Sequence, residues 1–350
     1  MPKVDATNTS ETTLRVSAQQ EIKKYTTELL IGDRGLELQE LEVSFSTADH
    51  NPESKRGAMV AALVKRTPNL KKLTLNFSGH LHTWGNCLGE ALTNALCSLK
   101  QLEEFRHHAT TAARTDFTLY SIMKLVSAWP NLRVLYISGD TNGSGNTAEI
   151  PPATCALESV TFERCMSNFE EMAPMFAGST RSLRSFEAWT MGYKEIDAIF
   201  ELVLPSIESI RIGGCNHPTA AFIRDKLSTA PNLESIHLGG DVDRAGTIRT
   251  AFATALRVDE DGDGVEDANK QTPTPTRFPA LRRLAYPAED GTYNTGRGRN
   301  ARTHEYDNVG ESALLKAANR RGIYASRAHN IEYKVEGLQR RAVFARRAYW

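Results

Sequence analysis

A single apolar frame returns nine times along this chain and restricts its fold more than any other feature. It reads L-Q-E-L-E-V from Leu38, L-K-K-L-T-L from Leu70, L-R-V-L-Y-I from Leu132 and L-E-S-V-T-F from Leu157. It continues as L-R-S-F-E-A from Leu183, I-E-S-I-R-I from Ile207, L-E-S-I-H-L from Leu233 and, shortened, L-R-R-L from Leu281. The unit from Leu102, L-E-E-F-R-H, departs from it, because His107 stands where the others hold an apolar side chain. Successive units start 32, 32, 30, 25, 26, 24, 26 and 48 residues apart. Apolar and polar residues alternate within each unit, which is the period of a strand with one buried face. A unit of this size cannot bury its apolar side alone, so neighbours must stack. The lead-in is repeated too, as TPNL, WPNL, APNL and FPAL.

The segments between the strands carry a helical period instead. KRGAMVAALVKRTP places Met59, Leu63 and Val64 on one face and stops before Pro68. GEALTNALCSL aligns Leu88, Leu92, Ala95 and Leu96, and DFTLYSIMKLVSAWP presents Leu119, Ile122, Met123 and Val126 behind a capping Asp116. Helices of the same kind are expected in GYKEIDAIFELVLP, HPTAAFIRDKLSTAP and DRAGTIRTAFATALR.

Strand and helix alternating at 20 to 29 residues or slightly more, with the consensus L-x-x-L-x-L, resembles the leucine-rich repeat. The longer early units resemble its ribonuclease-inhibitor-like variety. The resemblance covers roughly residues 38 to 288. It implies an α/β solenoid: a curved horseshoe with a parallel sheet on the concave face and helices on the convex one. Two units close on cysteine, L-E-S-V-T-F-E-R-C ending at Cys165 and I-E-S-I-R-I-G-G-C ending at Cys215. In the family an Asn or Cys at that place turns inward and caps the turn leaving the strand. The resemblance therefore implies buried, reduced thiols. A metal or redox pair is the alternative, unaccompanied by C-x-x-C or H-x-x-x-H spacing.

In this frame the fifth and seventh residues of each strand face the concave surface. They are Thr74 and Asn76, Arg106 and His108, Tyr136 and Ser138, Thr161 and Glu163, Glu187 and Trp189, Arg211 and Gly213, and His237 and Gly239. Arg106, His108, Tyr136, Glu163, Glu187, Trp189, Arg211 and His237 form the candidate partner-binding set, since Trp, Tyr and Arg dominate protein–protein hot spots. Any solvated sheet also carries such a mixture, and the frame names no ligand.

Composition narrows the classes of partner. With 42 basic and 42 acidic side chains the net charge is zero, so nothing global attracts nucleic acid or an anionic membrane. The opening MPKVDATNTSETTLR has no apolar core of a signal peptide, and no apolar run approaches the length of a membrane span. Five cysteines are sparse and odd in number, which suits reduced thiols and a cytoplasmic or nuclear home. The N-x-S/T matches at Asn8, Asn76 and Asn142 are then not expected to carry glycans. No G-x-S-x-G, P-loop, G-x-G-x-x-G or H-E-x-x-H is present, and the pairs His80/His82 and His107/His108 lack acidic or thiol partners at ligand spacing. The expectation is a non-enzymatic protein without a cofactor, an enzyme with an unrecognised site being the rival.

Two segments stand outside the repeat. An insertion at 258–277 carries Asp259, Asp261, Asp263 and Asp267 with Gly264, the spacing of a calcium loop. Lys270 replaces the carboxylate that closes an EF-hand, so the alternatives are weak calcium binding and a solvated acidic loop. From Lys316 to Trp350 there are nine basic and two acidic residues. That basic end suits an acidic partner or RNA, and equally suits capping of the last repeat or pairing with the acidic insertion. The chain divides into an N-terminal cap or lead over 1–37, the repeats over 38–288, and a C-terminal loop, capping helix (ESALLKAANRRGI) and basic tail over 289–350.

PNLKKLTL, PNLRVLYI, the uneven repeat lengths and LLKAANRRGI are similar to the repeat half of F-box/leucine-rich-repeat proteins, the fungal ones in particular. In that family the repeats select a substrate and an F-box docks the ubiquitin-ligase scaffold. The resemblance implies a protein partner and ubiquitin-ligase components. No L-P-x-E-like opening of an F-box precedes Leu38.

Overall fold

The computed structural model describes residues 12–16, 24–25, 34–46, 53–78, 90–109, 118–139, 149–163, 169–190, 196–214, 218–239, 245–257, 277–287, 292–295, 302–305 and 310–328. Eleven strands form one open parallel sheet: β1 (Thr13–Val16), β2 (Glu40–Ser46), β3 (Lys72–Ser78), β4 (Glu104–Ala109), β5 (Val134–Ser138), β6 (Ser159–Glu163), β7 (Ser185–Thr190), β8 (Ser209–Gly214), β9 (Ser235–Gly239), β10 (Arg283–Tyr286) and β13 (Tyr324–Arg327). Their order in space is their order in sequence, with β13 beside β10. A separate antiparallel pair joins β11 (Thr292–Thr295) to β12 (Arg302–Glu305). Strands β1 and β13 extend the sheet on either side of residues 38–288.

Parallel neighbours need a crossover to return the chain, and helices supply most of it. They are α1 (Arg34–Glu37), α2 (Glu53–Val64), α3 (Glu90–Cys97), α4 (Leu119–Ala128), α5 (Phe169–Met172), α6 (Asp197–Val203), α7 (Ala220–Asp225), α8 (Ala245–Arg257) and α9 (Glu311–Arg320). Helix α4 starts later than Asp116 suggests: its cap is Thr118, in extended backbone, whose Oγ1 accepts the Ser121 amide at 3.1 Å. Residues 151–158 carry two prolines and form no helix; there Ser179 Oγ accepts the Leu157 amide at 2.9 Å and donates to the Cys155 carbonyl at 3.2 Å.

The frame explains the core position by position. In all nine units its first, fourth and sixth residues are at most 6% exposed, His107 included at 0%. Each fully buried aliphatic or aromatic side chain contributes about 1.5–3 kcal/mol of transfer free energy. The shorter C-terminal units fill their interior with phenylalanine: Phe186 packs on Phe162, Phe176 and Phe200 at centroid distances of 6.3, 6.1 and 5.3 Å.

The repeats are also stitched through backbone. For β1 to β9 the carbonyl of the residue two before the strand's second member accepts two amides from the next unit. Lys71 receives Glu103 and Glu104 at 2.8 and 2.9 Å, Arg133 receives Glu158 and Ser159 at 2.7 and 3.1 Å, and Glu208 receives Glu234 and Ser235 at 2.8 and 3.1 Å. The recurrent P-N-L lead-in has a matching job. Asn69, Asn131 and Asn232 donate Nδ2 to the carbonyls of Leu36, Lys100 and Pro205, at 2.9, 3.0 and 2.8 Å, in the preceding unit. Trp129 of W-P-N-L, wholly buried, donates Nε1 to the Leu96 carbonyl at 2.7 Å.

At the C-terminal end α9 packs on α8 and hands the chain to β13 through Gly322, whose φ of 67° favours glycine. Glu311 accepts the Tyr286 hydroxyl at 2.7 Å and the Arg327 guanidinium at 2.7 and 2.8 Å. The hydrogen-bonded Arg327 holds the Glu311 carboxyl down to about 2. Burial, then the Glu311 carboxylate, pushes the Tyr286 phenol above its ordinary range. Beneath them the buried Arg249 donates to the Pro287 carbonyl at 3.2 Å.

Candidate functional site

One face of the sheet is covered by the helices; the other carries alternating, half-exposed residues in continuous rows across the strands. Register sets those rows. The fifth-position row runs Arg15, Glu42, Thr74, Arg106, Tyr136, Thr161, Glu187, Arg211 and His237. The seventh-position row includes Asn76 beside His108, and then Ser138, Glu163, Trp189, Gly213 and Gly239. All eight residues of the candidate binding set are half-buried on this face. Ser138, Gly213 and Gly239 share the rows but are buried; Ser138 Oγ donates to the Ala109 carbonyl at 3.3 Å.

The rows bring the candidates into two groups. On β4 and β5 the His108 and Tyr136 rings lie 4.3 Å apart, and Arg106 pairs with Glu104 at 2.5 Å. Burial, then the neighbouring Arg106, holds His108 below the usual imidazole range. On β7 to β9, Trp189 donates Nε1 to Glu187 at 2.7 Å, and the other Glu187 oxygen is 3.8 Å from Arg211. The indole leans over β8, into space that a side chain at Gly213 would need: a Cβ there would stand 1.8 Å from two carbons of its six-membered ring. Beyond it the His237 ring is centred 6.1 Å away. Burial, then Arg211, lowers the pKa of His237 as well. Both histidines are therefore neutral at physiological pH. Glu163 stands opposite Trp189 on β6, between the two groups.

A third row escaped the sequence reading. Ser159, Ser185, Ser209 and Ser235 are paired neighbours on β6 to β9, half-exposed, with no hydroxyl hydrogen bond to a described residue. The signal was the serine at the third position of L-E-S-V, L-R-S-F, I-E-S-I and L-E-S-I. These small side chains, about 4.8 Å apart, form a low polar floor beside the taller Trp189 and Arg211.

Acid–base and metal chemistry find little here. His107 is buried in the core, and desolvation first, then His108, pulls its pKa down to about 3. Burial raises the thiols of Cys97 and Cys155, the latter to about 11, so neither is a ready nucleophile at neutral pH. Among the described residues no three His, Cys, Asp or Glu side chains gather as metal ligands. An open cleft of 470 Å³ between α7 and α8 is lined chiefly by small residues such as Gly246, Thr250 and Ala251. Among the described residues no helix is long and apolar enough to cross a membrane. Asp259, Asp261, Asp263 and Asp267, Cys165 and Cys215, His80 and His82, and the basic residues beyond 328 lie outside the described residues. The chain matches no family model and no curated protein.

Proposed function

We propose that this chain is a leucine-rich-repeat solenoid of the ribonuclease-inhibitor-like kind, a non-enzymatic module that binds a protein partner on the exposed face of its sheet. The observation that carries the reading is Trp189, a large aromatic side chain on an exposed face, oriented by Glu187 and resting over Gly213. An aromatic side chain held in place offers contact area at low ordering cost. The resemblance to F-box/leucine-rich-repeat proteins gives the finer form: selection of a substrate for a ubiquitin ligase. The test is affinity capture from the native cell with the wild-type chain and Trp189→Ala, scored for shared partners and for ligase scaffold subunits. We expect Trp189→Ala to weaken partner capture by about 2 kcal/mol with an unchanged melting temperature. Equal capture by both proteins would move the interface off this face, and capture without ligase subunits would remove the ubiquitin reading alone.

A further inference from the structure

The described residues of the exposed strip over β6 to β9 include a group of carboxylates around Trp189. Three carboxylates, Glu158, Glu208 and Glu234, stand at the entrances of β6, β8 and β9, and Glu163 and Glu187 stand on β6 and β7. Among the described residues of these four strands and their entrances two guanidinium groups accompany the five carboxylates, Arg184 at the entrance of β7 and Arg211 on β8, and Arg133 at the entrance of β5 reaches Glu158 at 3.5 Å. Arg184 is already committed to Glu208, and Arg211 lies 3.8 Å from Glu187 with its side chain 43% exposed. A loose, solvated pair of that kind contributes little and is easily exchanged. The third-position serines add no charge. Among its described residues the strip thus holds more carboxylates than guanidinium groups, and it carries an indole at its centre.

Resting on the reading of this face as a protein-binding surface, we infer that the strip takes a basic segment of a protein partner, with a Lys or Arg side chain lying against Trp189 and its charge met by Glu163 and Glu187. Indole is the strongest aromatic partner for such a cation. Its Nε1 is occupied by Glu187, which fixes the ring and places a carboxylate at its edge. Glu163, opposite Trp189 in register, supplies a second carboxylate from the neighbouring strand. His237, on the far side of the indole, is kept neutral by burial and by Arg211, so it does not repel a cation there. The serine floor leaves the peptide backbone room to approach and offers hydroxyls to its amides and carbonyls.

The experiment uses the full chain and fluorescein-labelled peptides of repeating Gly-Arg-Ser-Leu, Gly-Gln-Ser-Leu and Gly-Glu-Ser-Leu, read by anisotropy across a salt series. The arginine peptide should bind best, and its affinity should fall as salt rises. Trp189→Ala should weaken it by about tenfold. Glu163→Gln and Glu187→Gln, which keep shape and hydrogen-bonding capacity, should each weaken it by several fold, while Arg211→Gln should tighten it. Preference for the glutamine or glutamate peptide, or indifference of the arginine peptide to all three weakening variants, would overturn the inference. If Trp189→Ala nevertheless impaired capture of the cellular partner, the face would remain an interface and its basic specificity alone would fall.

Discussion

Replacing His107 by leucine should make the protein less sensitive to acid. His107 lies between Leu75 and Ile137 in a row of otherwise apolar core positions and is completely buried. Burial lowers its pKa from 6.5 to about 3. Between those values the unfolded chain binds a proton that the folded chain refuses. Stability therefore holds above 6.5 and declines by about 1.4 kcal/mol per pH unit as pH falls toward 3. By pH 5 the loss from this one group is about 2 kcal/mol. At pH 7.5 the substitution exchanges a buried neutral imidazole for an aliphatic side chain in an apolar row, a net effect of about 1 kcal/mol. Urea unfolding of wild type and His107→Leu at pH 7.5, 6.5, 5.5 and 5 separates the terms, because every other titrating group is common to both proteins. The two stabilities should diverge steadily below pH 6.5 in favour of leucine. Parallel curves over that range would show that His107 takes up a proton in the folded state, and the buried, neutral assignment would be wrong.

Two further perturbations probe other parts of the molecule. Glu311→Gln should cost about 2 kcal/mol at pH 7, a figure kept modest because Arg327 is 43% exposed. Glu311 is held from 4.5 to about 2, so its contribution is complete above pH 4.5 and fades as pH falls toward 2; chemical denaturation at pH 7 and pH 3 should show the difference from wild type shrinking. Gly213→Ala should expel the Trp189 ring from its seat and red-shift tryptophan emission while the circular dichroism spectrum stays the same. The shift should vanish in a Trp189→Phe background, and its persistence there would assign it to another tryptophan.

The repeating parts of the fold were open to sequence reading because periodicity encodes burial. The first, fourth and sixth positions of the frame are core in every unit, and the alternating residues line the other face. His107 broke the frame in sequence but not in space: a neutral imidazole fills a leucine's position once desolvation keeps it unprotonated. The ends were harder. Strand β13, Y-A-S-R, carries no leucine frame, and it joins the sheet through backbone bonds such as Tyr324 to Arg282 at 2.9 Å, which any sequence can supply. Asp116 and Thr118 are both good caps, and composition alone does not choose between them.

The rows on the exposed face were predictable residue by residue, but their heights were not. Trp189 and Gly213 are 24 positions apart, and each is unremarkable alone. Only the register that sets them side by side shows that the missing Cβ of one makes room for the ring of the other. Tyr136, its ring packed at a tilt against His108, is likewise held before any partner arrives. These two fixed aromatic residues stand on β5 and β7, about 9.6 Å apart across the strands and offset by two residues along them, with Thr161 and Glu163 between them. A partner that touches both must run across the strands, and the ordering cost of the protein side has already been met in folding. Affinity should then depend more on how well a partner spans that interval than on the total area it covers.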